Sequence, residues 1–363
     1  MFETLFIIAI SLYFIQAVLL SIGAKKKFPK IEEINFPTCT VIVAARNEEK
    51  NILECLKSLD ELIYPENKLE IILVDDFSDD QTKNIIENFI ADKPIFKLIQ
   101  PIKNFGEIKG KARAIANGID VSKGEIIFTT DADCVVNPNW IKTLASYYTK
   151  EVGMVCGYTN QKFKNIFEAV QDIDFIYLLT VAAGAINFWK PISAIGNNMS
   201  YRKSAYLEVG GYEKIPFSVT EDFQLLMAIF DDKKYKIIYP VDSGGLVTSK
   251  PCEDLTTLFR QKKRWAVGGL NVRLDGAFVI GTAISVIVLT LLIPFFYSTT
   301  IFYLFLFKIF TDYFMISNIY KALELKLKIL NFLFFEIYLP VYFVITGINI
   351  LFNKKVIWKG REF

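Results

Sequence analysis

Acidic residues recur through the middle of this 363-residue chain in short, ordered groups: Asp75-Asp76, Asp131-Ala132-Asp133 and Thr220-Glu221-Asp222, followed by Gln261-Lys262-Lys263-Arg264-Trp265. The first two groups end apolar runs, Glu70 to Val74 and Glu125 to Thr129, that read as strands. In an open α/β sheet the ligand crevice lies outside the carboxyl ends of the strands. Two carboxylates flanking one small residue, Asp131 and Asp133, can converge on a hard cation such as Mg²⁺ or Mn²⁺. Such an ion would neutralise a nucleotide diphosphate. The chain has no histidine, so the usual group that titrates near neutral pH is missing, and a carboxylate is the natural general base.

Each group has a plainer reading when taken alone. An isolated Asp-x-Asp is commonly a solvated loop or a helix cap. Asp75-Asp76-Phe77-Ser78 reads as a turn with a cap for the next helix. Thr220-Glu221-Asp222 precedes the apolar run Phe223 to Phe230, where acids sit well against a helix dipole. Lys111, at the start of a helix, suits a phosphate contact but also an ordinary exposed position. Gln261 to Trp265 lies on a basic amphipathic segment, Leu258 to Val267, that reads as a membrane-surface helix.

The elements that must hold these residues follow from periodicity. Between Pro37 and about Asn271, short apolar strands alternate with helical stretches, the pattern of an α/β sheet covered on both faces. Thr40 to Ala44, Glu70 to Val74, Phe96 to Ile99, Glu125 to Thr129 and Val152 to Cys156 are predicted strands. Helices are predicted over Glu48 to Leu59, Asp80 to Ile90, Lys111 to Ile119 and Pro138 to Thr149, the last with Asn137 as N-cap and Pro138 at its first position.

The ends of the chain are membrane-like. Leu5 to Ile22 is an uncharged run long enough to cross a bilayer, followed by Lys25, Lys26, Lys27 and Lys30. It lacks a basic n-region and a small-residue cleavage site, so a retained anchor is predicted, with the residues after it in the cytoplasm. Ala277 to Tyr297, Thr299 to Ile319 and Leu330 to Phe352 are further candidates. Lys308 and Asp312, four apart, are expected to pair or to face the protein interior. If all three cross, the basic tail of Lys354, Lys355, Lys359 and Arg361 ends outside, which makes one segment a candidate re-entrant or interfacial piece. Pro340 and Glu336 point to the last. Ile173 to Trp189 is apolar too, but Asp174 and Gly184 interrupt it, and a buried or interfacial helix is predicted. The organisation expected is an anchor over residues 1–24, a catalytic domain with its interface helix over 37–273, a membrane region over 277–352 and a tail over 353–363.

Composition excludes several classes. With 22% charged residues and a formal charge of +2, there is no broad basic field for nucleic acid. Five cysteines without a CxxC pair, and no histidine, leave no zinc pattern and fit a reducing compartment. Mean hydropathy is positive, at +0.33.

Taken together, the motifs resemble the membrane-bound family 2 glycosyltransferases, which include ceramide glucosyltransferase and, more distantly, cellulose and hyaluronan synthases. The resemblance rests on Val41–Glu49, Val74–Asp79, Gly110–Gly118, Asp131–Asp133, Gly196–Arg202, Thr220–Asp222, Gln261–Trp265 and Trp358–Arg361, eight loose motifs in one order. It implies a GT-A (Rossmann-like) α/β domain with transmembrane helices at both ends. It further implies inverting transfer from a nucleotide-diphosphate sugar, dependent on Mg²⁺ or Mn²⁺. By matching positions, Glu48, Asp75 and Asp76 would hold the nucleoside, Lys111 the phosphates, and Asp131 and Asp133 the nucleotide and metal. Asp222, with Glu221 beside it and its pKa raised by burial, would be the general base. Gln261, Arg264 and Trp265 would sit near the diphosphate and acceptor, with Arg264 stabilising the leaving group. Arg46 is counted with the nucleotide-binding residues, but the synthases usually carry tyrosine there, so base stacking is not carried over.

The expected acceptor is a hydroxyl of a membrane lipid, used at a multi-pass protein of the cell membrane whose catalytic domain faces the cytoplasm. A processive polysaccharide synthase is the alternative, since Gln-x-x-Arg-Trp occurs there too; about three C-terminal apolar segments are thin for a polymer channel. A transporter using Lys308, Asp312 and Glu336 with a nucleotide-sugar-sensing domain is a more distant one.

Overall fold

The computed structural model describes residues 1–106, 108–188, 190–216, 218, 220–268, 274–352, 357–358 and 361–362. Trp189 and the tail residues Lys354, Lys355 and Lys359 lie outside them. Two compact units emerge, one of Lys27–Asn160 with Ala194–Lys250 and the other of Met1–Lys26 with Gln161–Ser193 and Pro251–Phe363. The stretch 37–273, expected as one domain, is thus shared between them.

The first unit is built on a mixed seven-stranded sheet. Its strands are β1 (Cys39–Ala45), β2 (Leu69–Asp75), β3 (Phe96–Ile99), β4 (Ile126–Asp131), β6 (Val152–Cys156), β8 (Met199–Arg202) and β9 (Lys236–Ile238), in the order β3-β2-β1-β4-β8-β6-β9. Short pieces β5 (Val135–Val136), β7 (Thr159–Gln161) and β10 (Val247–Ser249) form a second, three-stranded sheet. β1 is apolar apart from Thr40 and buried at six of its seven positions, as expected for a parallel strand covered on both faces. It pairs in parallel with β2 and β4, placing Ala45 opposite Asp75 and Ala44 opposite Asp131. β8 runs antiparallel to β4 and β6.

Helices α2 (Ile52–Asp60), α3 (Thr82–Ile90), α4 (Gly110–Val121), α5 (Trp140–Ala145), α7 (Lys203–Glu208), α8 (Gly211–Lys214) and α9 (Glu221–Asp232) complete this unit. All five predicted strands are present. The helix predicted over residues 138–149 is shorter and starts later. The Asn137 side chain accepts from the Asn139 amide at 2.9 Å and its carbonyl accepts from Trp140 at 2.8 Å, a turn that holds Pro138 outside the helix. Tight bonds from the Tyr147 and Tyr148 amides to Leu144 and Ala145 then end it. Trp140 is fully buried and meets Phe128 edge-on at 5.4 Å, tying α5 to the underside of β4.

The second unit contains α1 (Phe2–Ala24), α6 (Ile166–Asn187), α10 (Leu255–Gly268), α11 (Leu274–Leu292), α12 (Thr299–Ala322) and α13 (Ile329–Phe352). Among the described residues, five helices are long and apolar enough to cross a membrane: α1, α6, α11, α12 and α13. α6 differs from the others because 89% of its apolar window is buried within the protein, against 22% to 39% elsewhere. α13 continues unbroken through Pro340.

α1 and α12 run in the same direction. The Ser298 hydroxyl donates to the Glu3 carboxylate, Phe2 stacks on Phe296 at 4.5 Å, Phe14 faces Phe307 at 5.0 Å, and the Tyr13 hydroxyl donates to Asp312. Lys25 and Lys26 therefore share one end of the bundle with Lys321, Lys326 and Lys328, while the turn at the opposite end, Phe295 to Ser298, is uncharged. α1 meets α6 nearly backbone to backbone. A Cβ on Gly184 would lie 2.4 Å from the Leu20 carbonyl oxygen, and one on Gly23 would lie 2.5 Å from that of Gly184. Small residues at such crossings are how apolar helices approach closely.

The charged side chains at the heart of this unit are paired with one another. Lys308, 3% exposed, pairs with Asp312 at 2.8 Å and with Glu336, and Asp312 also accepts from Tyr13, whose hydroxyl lies 2.7 Å from that of Tyr177. The expected i, i+4 pair is present, with a third partner from α13 that spacing did not indicate.

Candidate active site

The register of β1 against its neighbours brings two acid clusters to one edge of the sheet. Adjacent strands lie about 4.8 Å apart, so Asp75 and Asp131, on either side of the end of β1, stand about 10 Å from each other.

At the β2 side, Asp75 is 1% exposed and accepts from Gln100 Nε2 at 3.2 Å and from the Ser78 amide at 3.3 Å. The Asp76 carboxylate accepts from Arg113 at 2.7 Å, and Arg46 Nη1 donates to the Asp76 carbonyl at the same distance. Phe77 follows with a φ of +55°, a left-handed conformation that is costly for a bulky residue. Its ring lies 5.7 Å from the Arg113 guanidinium. Glu48 is tied to the adjoining loop: its amide donates to Thr82 Oγ1 and its carboxylate accepts from Asn51, both at 2.7 Å. Arg46, Glu48, Asp75 and Asp76 therefore gather at the ends of β1 and β2.

At the β4 side, Lys111 from the first turn of α4 lies 2.5 Å from Asp131 Oδ1 and 3.7 Å from Glu221 Oε1. Burial opposes its charge, but Asp131, then Glu221 and Asp222, outweigh that cost and hold its pKa above the ordinary lysine value. The ammonium stays protonated at any working pH. One lysine thus joins the acids of two motifs some ninety residues apart.

Asp222 sits at the first turn of α9. Its Oδ2 accepts from the Gly196 amide at 2.5 Å and its Oδ1 from the Phe223 amide at 2.8 Å. These two backbone donors, one on each oxygen, fix the orientation of the carboxylate. Gly196 packs closely on this side chain: a Cβ there would lie 3.0 Å from Asp222 Cβ and 3.1 Å from Oδ2. The Gly196 carbonyl in turn accepts from Thr129 on β4 at 3.0 Å, so Asp222 is referenced to the same strand that ends in Asp131.

Asp131, Asp133 and Cys134 bring their ligand atoms within 4.8 Å of one another. Burial, then Asp133 and Asp131, push the Cys134 thiol well above its usual range. The two carboxylates of this group are hard oxygen donors, a set that fits Mg²⁺ or Mn²⁺.

Several supporting residues escaped the sequence reading. Arg113, which engages Asp76, lies within the Gly110–Gly118 motif but was given no role of its own, and Gln100, which engages Asp75, carried no signal beyond its place after a predicted strand. Gly196 and the fully buried Asn198 did carry one, since successive asparagines between apolar strands must find partners. Asn198 accepts from Trp140 Nε1 at 2.9 Å and donates to the carbonyls of Tyr158 and Gly245. Gln261, Arg264 and Trp265 belong to the other unit, on α10.

A largely parallel sheet with carboxylates at the ends of β2 and β4 and a further acid at a helix start defines the GT-A class of α/β fold. Residues 126–350 match the family model for glycosyl transferase family group 2, and residues 40–210 match that for glycosyl transferase family 2. The chain belongs to this family. A probable glycosyltransferase of Bacillus subtilis is 28% identical over 74% of this chain and 67% of that protein. A beta-monoglucosyldiacylglycerol synthase of Nostoc is 27% identical over 66% of this chain and 51% of its own length. A poly-beta-1,6-N-acetyl-D-glucosamine synthase of Staphylococcus epidermidis is 28% identical over 70% and 58%. The chain thus spans about half to two thirds of these curated relatives. Its fold is similar to that of a mannosyltransferase from Pyrobaculum calidifontis, solved with GDP-Man and Mn²⁺, with a TM-score of 0.62 at 18% identity, covering 97% of this chain and 99% of that one.

Proposed function

We propose that this protein transfers a sugar from a nucleotide-diphosphate donor to a hydroxyl of a membrane lipid, with inversion at the anomeric carbon. The observation that carries the reading is the placement of Asp222: oriented by the Gly196 and Phe223 amides, and linked through Lys111 to the strand-end Asp131. The lipid acceptor is supported by the long apolar helices and by the glycolipid synthase among the relatives.

In this reading the donor's nucleoside lies at the ends of β1 and β2, against Arg46, Glu48, Asp75 and Asp76. Asp131 and Asp133 would hold a divalent cation that neutralises the diphosphate. Lys111 adds a permanent positive charge beside the same phosphates, and Gln261 and Arg264 would serve the leaving group. Asp222 takes the proton of the acceptor hydroxyl as its oxygen bonds to the anomeric carbon. The bond from that carbon to the diphosphate breaks on the opposite face, and the electron pair leaves with the nucleotide. The Glu221 carboxylate, 15% exposed in its side chain and 3.7 Å from Lys111, helps to hold that lysine between the two acid groups.

Orientation follows from the helix ends. Lys25, Lys26, Lys321, Lys326 and Lys328 lie at one end of the bundle, and the positive-inside bias puts that end in the cytoplasm. The chain enters the catalytic unit at Lys27, just after α1 ends, and this reading assigns that unit to the cytoplasm, where nucleotide sugars are found.

The reading is tested by incubating membranes that carry the protein with a panel of nucleotide sugars and identifying products by mass spectrometry. A lipid bearing one or a few sugars is expected. A ladder of long, lipid-free glycans from purified protein would instead establish the processive synthase reading, which the polysaccharide synthase among the relatives favours.

Asp222→Asn is expected to lower turnover by about 10² to 10⁴, the usual range for removing a positioned acid or base, with donor affinity retained. Collapse of donor affinity with an unchanged chemical step would make Asp222 a binding residue. Chelation of divalent ions is expected to stop transfer reversibly, and Asp133→Ala to abolish it in a protein that still folds and inserts; undiminished turnover in excess chelator rules the cation out. For orientation, the native cysteines are buried, so a cysteine is introduced at exposed Lys150. A membrane-impermeant maleimide should label it only after permeabilisation, and labelling of intact cells would reverse the topology.

A further inference from the structure

The amphipathic helix α10 carries a lysine where an apolar residue would be expected. At about 100° per residue, Leu258, Lys262 and Trp265 fall on one stripe at i, i+4 and i+7. Leu258 and Lys262 are 1% and 5% exposed. Lysines near an interface ordinarily extend their ammonium to water, but Lys262 turns inward. Its ammonium donates to Asp174 Oδ2 on α6, a residue with no exposure, and Asp174 Oδ1 accepts from the Tyr342 hydroxyl on α13 at 3.3 Å. The same ammonium lies 4.4 Å from the Trp265 ring centre and 5.2 Å from that of Tyr342. Trp265 stacks on Phe175 of α6, with centroids 5.6 Å apart and the planes 20° from parallel.

We infer that Lys262 and Trp265 are positioning residues: gripped by Asp174, Phe175 and Tyr342, they fix the roll of α10 and so set the direction of Gln261 and Arg264. Those two residues lie at i and i+3, one turn apart, along one flank of the buried stripe. Gln261 makes no side-chain hydrogen bond to a described residue, so its amide is available to a ligand. Apolar contact alone is non-directional and would let an amphipathic helix roll or slide. A buried, charge-assisted hydrogen bond has a defined geometry, and a desolvated cation facing an aromatic ring adds to it. Releasing the pair would leave two uncompensated buried charges. Trp265 acts through this packing rather than by touching substrate. The proposal rests on the reading that Gln261 and Arg264 serve the diphosphate.

The test uses the full-length protein with Lys262→Met, Asp174→Asn, the double variant combining them, and Trp265→Leu. Each single variant is expected to lose about tenfold to a hundredfold in kcat, the effect of misplacing catalytic groups by roughly 1 Å. Donor KM should stay within about twofold, and amide exchange over residues 255–268 should rise. The double variant leaves no unpaired charge, so it should regain the thermal midpoint lost by the singles while keeping their kcat defect. Recovery of kcat together with the midpoint would reduce the pair to a folding role and overturn the proposal. So would a Trp265→Leu protein with kcat intact and acceptor KM raised by about fivefold or more, the mark of a substrate contact. Gln261→Ala and Arg264→Ala separate the two levels. If both are silent while the Lys262 variants lose turnover and gain exchange, the assignment of the diphosphate contacts falls and the lock on α10 stands.

Discussion

The parallel register of β1 with β2 and β4 is the constraint on which the candidate site depends. Placing Ala45 opposite Asp75 and Ala44 opposite Asp131 ends all three strands at one level, so that two carboxylate clusters share one edge of the sheet. A slip by one residue would turn every side chain of β1 to the opposite face. The fully buried Val41, Ile42 and Val43 make that slip expensive. The apolar interior of the strand is thus what guarantees the polar geometry at its end.

Gathering acids creates a charge problem, and the site resolves it with two cations from α4. Lys111 lies among Asp131, Glu221 and Asp222, and Arg113, two residues later on α4, neutralises Asp76. One helix therefore balances both ends of the acidic edge. Backbone amides do the same for Asp222, whose oxygens are held by Gly196 and Phe223. Charge held by fixed donors needs little reorganisation when a reaction develops new charge.

The apolar unit follows the same rule under stricter conditions. Lys308 with Asp312 and Glu336, and Lys262 with Asp174, pair buried ionisable groups from different helices. Removing one member of such a pair typically costs about 3–5 kcal/mol, although an apolar replacement of the whole pair can be neutral. Directional partners of this kind define how helices meet where apolar contact by itself would leave several packings close in energy.

Strands, the acidic motifs and the long apolar helices were legible in the sequence, because each is written in local periodicity: apolar runs of strand length, acids at their ends, and uncharged stretches of membrane length. The first long apolar helix, the strand at Phe96–Ile99 and the Lys308–Asp312 pair follow from spacing alone. The helix after Asn137 was misjudged because the asparagine made a turn with Asn139 instead of capping, a choice between two local hydrogen bonds that sequence does not distinguish. What only the tertiary structure decided are contacts between residues far apart in the chain: Arg113 with Asp76, Gly196 with Asp222, Glu336 with Lys308 and Asp174 with Lys262. In the apolar stretch from Ile173 to Trp189, Asp174 and Gly184 spoke for a buried or interfacial helix without saying what they meet. In the fold, the first is the partner of a lysine 88 positions away and the second is where two helix backbones touch. A sequence records which groups must be satisfied, but the partner that satisfies each buried charge or close backbone approach is set by three-dimensional packing.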